Sequence, residues 1–169
     1  MGDPHFVIQH HIATADHYDF RLEIDGVLVS WAVPKGPSLD PDDRRLALRT
    51  DDHAMEHETF EGRLGDRRNG GVVQVWDRGT YRNTSHVGTR PVDAATGLER
   101  GRLSFWLDGE KLRGGFSLIR TRDYGERESW LLTKKADETA DARRRPTSTQ
   151  TGSVLSGRTI EQIDAEGSA

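Results

Sequence analysis

The sequence predicts an all-β domain, a barrel or a sandwich. Short apolar runs recur at close spacing and are separated by turns carrying Gly, Pro or Asp, while a helical period is almost absent. A chain of 169 residues suits one such domain with a polar C-terminal tail.

Taken in order, FVIQHH (6–11) reads as a first strand, with Phe6, Ile8 and His10 on one face and Val7, Gln9 and His11 on the other. Residues 12–16 form a short loop. From His17 the chain alternates strictly: His17, Asp19, Arg21 and Glu23 fall on one parity, Tyr18, Phe20, Leu22 and Ile24 on the other. Asp25-Gly26 is a hairpin-turn signal. VLVSWAV is the next strand, stopped by Pro34, and KGPSLDPDD is a loop. RRLALRT (44–50) alternates again, placing Arg45, Ala47, Arg49, Asp51 and His53 on one parity if the strand holds that far. Residues 54–71 read as irregular. VVQVW is a strand that Asp77–Thr80 turns back, and RLSFWLDG, KLRGGFSLIRT and ESWLLTKK supply three more. The four tryptophans sit inside apolar strand runs, which assigns them to the core. After Ala136 the composition becomes polar, charged and Pro-bearing. The expected organisation is a barrel over 1–136 and a polar, flexible tail over 137–169, with a turn or two of amphipathic helix at Val154–Ile163.

Composition narrows the function. A net charge of −4 argues against a protein that coats DNA, though not against a local basic site. With no Cys, disulfides and thiolate metal sites are excluded. Neither an N-terminal signal segment nor a membrane-spanning stretch is visible, so a soluble cytoplasmic protein with no membrane partner is expected.

The polar face of the second strand carries the chemistry. A solvated strand face favours Thr, Lys and Glu; this one aligns an imidazole, a carboxylate and a guanidinium. His11 and His17 flank a five-residue loop, and Asp19 lies two residues further on the same face. Two imidazoles and one carboxylate make a three-ligand metal site with open positions, or a hydrogen-bonded His cluster at a sheet edge; spacing alone leaves both open. Arg21 and Arg45, on different strands, could clamp a phosphate through paired hydrogen bonds or serve as surface ion pairs. His53 follows Asp51-Asp52, and acidic neighbours would raise its pKa and keep it protonated as a donor. No P-loop and no nucleophile elbow is present.

FVIQHH followed by HYDFRLEIDGVLVSWAVPKGPSLDP resembles the polynucleotide 3′-phosphoesterase domain of bacterial DNA ligase D, which also occurs as a free-standing protein. RRLAL, DDH, FEG, VWDRGTY, GEKLRGGFSLIRTR and WLLTKK extend the resemblance in register over residues 5–136, and SVLSGRTIEQI resembles the segment that follows the domain in fused ligases. The resemblance implies a compact β-barrel with a metal in a crescent-shaped groove. It implies a manganese-dependent phosphoesterase, with Zn2+ or Co2+ as other candidate ions, acting on DNA or DNA/RNA 3′ ends beside a DNA ligase and end-joining proteins. Such enzymes remove a terminal ribonucleoside and then the 3′-phosphate.

Carried over by position, the resemblance implies His11, His17 and Asp19 as metal ligands. It implies Arg21, Arg45 and His53 as phosphate-binding and catalytic groups, supported by Gln9 and Asp51. Three departures stand out. The family has an N-terminal arm with an Arg and acidic residues, whereas this chain begins almost at the first strand. His57 replaces a Tyr, and a protonated imidazole there could act as the donor instead. RLGDRRNGG replaces the family's Pro-Glu-Gly and Tyr-Gly loop. The expected consequence is that 3′-phosphate removal survives better than ribonucleoside removal. The alternatives are a catalytically weakened 3′-end-binding module and, from the His17-Tyr18-Asp19 pair, a non-haem iron oxygenase.

Overall fold

The first hairpin sets the architecture. In the computed structural model, which describes residues 2–66, 68, 70–121 and 127–166, β1 (His5–Ile12) pairs antiparallel with β2 (Asp16–Ile24). Every second residue of each strand points inward: Phe6 and Ile8 from β1, and Phe20, Leu22 and Ile24 from β2, all buried in one core. Asp25 and Gly26 take positive φ values of 53° and 83°, the geometry of a two-residue turn whose twist matches the strands it joins. That turn returns the chain as β3 (Val27–Val33).

The other strands close the sheet on itself. They are β4 (Arg44–His53), β5 (Gly62–Arg63), β6 (Val72–Asn83), β7 (His86–Val87), β8 (Arg90–Pro91), β9 (Arg102–Gly109), β10 (Arg113–Arg120) and β11 (Ser129–Lys134). The order β1-β2-β3-β4-β11-β10-β9-β6 is completed by pairing of β6 with β1, giving a closed antiparallel eight-stranded barrel. Closure leaves no free edge in the barrel itself, and β5 adds to β6 from outside. The interior is filled from the inner face of the ring, with Trp31 and Trp130 packed edge-on at 5.5 Å.

Three sequence expectations change. The turn at Asp77–Thr80 does not form. β6 continues through it, pairing first with β1 and then with β9, and its ladder to β1 slips between Ile8 and Gln9. Asp77 is a turn anchor of another kind, its carboxylate accepting from the N–H groups of Glu110, Lys111 and Leu112. Trp106 is not in the core: it lies on the outward parity of β9 between buried Phe105 and Leu107. A helix absent from the sequence reading, α1 (Ala94–Arg100), is capped by Asp93, whose side chain accepts from the Thr96 N–H at 2.8 Å.

The C-terminal segment lies along β6. It contains α2 (Pro146–Thr149) and α3 (Ile160–Glu166), and Ile160 and Ile163 are buried against Val72. Gln74 donates to the Thr151 and Arg158 carbonyls, and Trp76 Nε1 to that of Gln150. These contacts supply partners for polar groups that the strand would otherwise leave buried and unpaired. Among the described residues no helix is long and apolar enough to cross a membrane.

Candidate active site

The outward parity of β1 and β2 lines up the polar residues in opposed pairs. His11 faces His17, Gln9 faces Asp19, and Val7 faces Arg21. Directly opposed residues on one sheet face have neighbouring side chains, so the ladder alone brings two imidazoles and a carboxylate together. His11 Nδ1 lies 3.2 Å from Asp19 Oδ2, and His17 Nε2 3.1 Å from Asp19 Oδ1. One ligand atom from each of the three residues lies within 4.8 Å of the other two. Ligands at about 2.1 Å from an ion sit roughly 3–3.5 Å apart when adjacent, so small side-chain rotations suffice to enclose one. The donor set of two nitrogens and one anionic oxygen fits a borderline or hard divalent cation and leaves coordination positions open.

Buried polar groups hold this cluster. Arg21 is 3 % exposed and divides its guanidinium among four partners. Nε donates to Gln9 Oε1 at 2.7 Å, Nη1 donates to Ser30 Oγ at 2.9 Å and lies 3.1 Å from His53 Nδ1, and Nη2 approaches Asp19 Oδ2 at 3.3 Å. Gln9, fully buried, spends its own amide N–H groups on the carbonyls of His57 and Phe60. The middle and the C-terminal end of the 3-10 turn at Met55–Thr59 are thereby tied to the floor of the site. On the far side of His11, Nε2 lies 2.5 Å from the Gly70 carbonyl. Without an ion, Nδ1 shares a hydrogen bond with Asp19 Oδ2; with a cation held by Asp19, a ring donating at Nε2 would present Nδ1 to it as a lone pair.

The electrostatics follow from these contacts. The hydrogen bond to Asp19 raises the His11 pKa against the opposing effect of burial. Burial alone would raise Asp19, but its bonds to His11 and His17 and the Arg21 charge hold it well below the usual carboxylate range. His53 departs from expectation: its pKa is lowered, by burial and by the Arg21 charge. The Asp51 group at its ring is the backbone carbonyl, 2.9 Å from Nδ1, and the exposed carboxylate has too little influence to hold a proton there. His57 is pushed down to about 4 by burial, Arg21 and the neighbouring His53. Both rings are therefore neutral at neutral pH, contrary to the protonated donors expected of them.

A groove of about 500 Å³ opens over His11, His17, Asp19, Arg21, His53 and His57. The His53 and His57 ring centres are 4.8 Å apart, and His57 stacks on Phe60. Arg45 is not brought to this groove. Its neighbour across β11 is the core residue Leu132, and its Nη2 lies 3.4 Å from Asp43 Oδ2. The shared parity read for Arg45 and His53 is broken by a bulge: two steps along β3, Leu28 to Ser30, oppose three along β4, His53 to Thr50. The bulge turns His53 to the groove face with Thr50 and Leu48 and leaves Arg45 with Ala47 on the inner face. Sequence reasoning passed over Ser30, although it is the one polar residue in VLVSWAV. It also passed over the Gly70 carbonyl and the apolar wall of Ala32, Pro34 and Leu48, with Arg127 at the rim.

Comparison with known proteins places this arrangement. The family model described as the DNA Ligase D 3'-phosphoesterase domain matches residues 9–120, which contain His11, His17, Asp19, Arg21, the bulge, His53 and His57. The multifunctional non-homologous end joining protein LigD of Pseudomonas aeruginosa is 46% identical over 163 residues, 92% of this chain and 18% of that protein. Its counterpart in Mycobacterium tuberculosis is 44% identical over 127 residues, 75% of this chain and 15% of that protein. That of Mycolicibacterium smegmatis is 37% identical over 134 residues, 79% and 17% respectively. The chain thus spans less than a fifth of the length of these relatives. The match runs through the strands that carry the His–His–Asp–Arg cluster, and the chain belongs to the DNA ligase D 3′-phosphoesterase domain family.

Proposed function

We propose that the chain is a metal-dependent phosphoesterase that trims nucleic-acid 3′ ends, removing a 3′-phosphate and, on suitable ends, a terminal ribonucleoside. The observation that carries this reading is the convergence of His11, His17 and Asp19 within 4.8 Å beside a buried Arg21. His11, His17 and Asp19 would hold one divalent cation, with manganese favoured by the family and zinc or cobalt also compatible with the ligands. When bound, such an ion supplies Lewis-acid neutralisation of phosphate charge.

The chain's own residues account for the rest. Arg21 is held by Gln9, Ser30 and Asp19 and lies against His53, with its last Nη2 N–H left for a phosphate oxygen, so it is oriented before substrate arrives. His53 and His57, neutral and adjacent, each carry one N–H and one free lone pair. One ring can donate to a phosphate or leaving-group oxygen while the other accepts a proton from an attacking water. In this reading Gln9 and the Asp51 carbonyl position Arg21 and His53, and Arg45 has no direct contact with the phosphate. The partners follow from the relatives, which are named as end-joining proteins: DNA or DNA/RNA 3′ ends, a ligase and other end-joining proteins.

The test is phosphate release from a 3′-phosphorylated oligonucleotide with manganese, zinc, cobalt or chelator. Cation-dependent release by the wild type, lost in His17→Ala, is expected. Oligonucleotide binding without release in any metal would identify a binding module, and oxoglutarate consumption would identify an oxygenase.

A further inference from the structure

The outer face of β4, β11, β10 and β9 carries a continuous surface that begins in the groove. Strand register places the outward side chains in rows. One row runs Leu46, Leu131, Ile119, Arg102. Beside it, Leu48 lines the groove opposite Ser129. On the other side a polar row runs Arg44, Thr133, Ser117, Ser104, and beyond it Trp106 lies opposite Gly115.

Leu46 is 46 % exposed and Ile119 37 %. Trp106 is the one tryptophan outside the core, and among the described residues its ring has no aromatic, cation or hydrogen-bond partner. These rows contain no Asp or Glu, in a chain where 28 of 169 residues are acidic. They do contain Arg44 and Arg102, which make no ion pair among the described residues, and Arg127 stands at the groove rim.

From this juxtaposition we propose that the face binds an unpaired stretch of nucleic acid continuous with the 3′ end held in the groove. The inference rests on the phosphoesterase reading for the position of that end. Bases would lie against Leu46, Leu131, Ile119 and Trp106, and phosphates against Arg44, Arg102 and Arg127. Three features select this occupant. The apolar band leads directly out of the groove through Leu48. Its rows carry arginines and no acids, and the carboxylates beyond them, Asp108 and Asp137, are paired with Arg113 and Lys134, which suits a polyanion. The side chains are flat or aliphatic with few base-reading polar groups, which suits stacking of any base and gives nothing to a duplex whose base faces are covered.

The experiment is intrinsic fluorescence of the metal-free chain titrated with single-stranded oligo-dT and with a blunt duplex of equal length. Trp31, Trp76 and Trp130 are fully buried, so quenching reports Trp106. Quenching by oligo-dT and weaker binding of the duplex are expected. Trp106→Ala should lower oligo-dT affinity, read by anisotropy of labelled oligo-dT, roughly ten-fold, as stacked bases lose on alanine substitution. Arg44→Ala/Arg102→Ala should flatten the salt dependence. Ile119→Ser is the second variant, and far-UV circular dichroism confirms its fold.

Equal binding of the duplex, unchanged affinity in Trp106→Ala and Ile119→Ser, or a signal that follows protein self-association in sedimentation would each overturn the proposal. Because the readout needs no turnover, failure of the phosphoesterase reading would appear separately, as oligo-dT binding without phosphate release.

Discussion

Replacing Arg21 by Lys keeps the positive charge and removes the fork, and the structure indicates what that costs. A guanidinium has five N–H donors, of which Gln9, Ser30, His53 and Asp19 face one each, leaving one for a phosphate. An ammonium has three donors on one atom and cannot reach all of these partners from the same place. If it keeps Asp19 it leaves the fully buried Gln9 carbonyl unpaired; if it turns to the phosphate it leaves both. Losing an oriented contact to a developing charge costs about 2–4 kcal/mol, or roughly 30- to 1000-fold in kcat/KM. The assay is steady-state phosphate release from a 3′-phosphorylated oligonucleotide at saturating manganese. A thermal melt should show Arg21→Lys still folded. If Lys at position 21 works as well as Arg, charge alone matters and the oriented fork is refuted.

Three further outcomes are expected. Gly71 has φ +70°, and a side chain there would collide with the Ile12 carbonyl. Gly71→Val should displace the Gly70 carbonyl from His11 and weaken manganese binding about ten-fold by calorimetry; unchanged affinity would release the loop from any role in holding the ring. Since His57 titrates at about 4, the ratio of wild-type to His57→Ala rates should be flat from one unit above that value into the alkaline range. A ratio collapsing as pH rises through neutrality would show that the ring works as a protonated donor. Away from the site, Lys134 is fully buried and 2.6 Å from Asp137 Oδ1. Asp137→Asn should cost about 3 kcal/mol in urea unfolding, while Lys134→Met/Asp137→Asn recovers most of it. Asp137 is held low by its bonds from Lys134 and Thr139 despite burial, so this stabilisation is present above the ordinary carboxylate pKa and is lost as pH falls through the lowered one.

Period-two alternation made the first hairpin and its outward His17, Asp19 and Arg21 legible, because one strand parity meets the core and the other does not. Parity arguments fail wherever a ladder slips. The β4 bulge moved His53 to the groove and left Arg45 facing inward, and nothing in RRLALRTDDH marks the extra residue. β6 continues past Asp77 because it changes partner, a long-range event with no local signature. The state of His53 was misjudged because sequence adjacency to Asp51 suggested a charge contact, whereas the fold supplies Arg21 from another strand. The Gly70 carbonyl, being backbone, offers no side-chain signal at all.

The most direct test of the central claim measures ion binding and phosphate release on the same preparations. Wild type and Asp19→Asn are titrated with manganese by electron paramagnetic resonance, then assayed on a 3′-phosphorylated oligonucleotide with and without chelator. The account predicts one ion per chain and cation-dependent release in the wild type, with both lost in Asp19→Asn because the only anionic ligand is gone. Full release in excess chelator, or undiminished binding and release in Asp19→Asn, would contradict it.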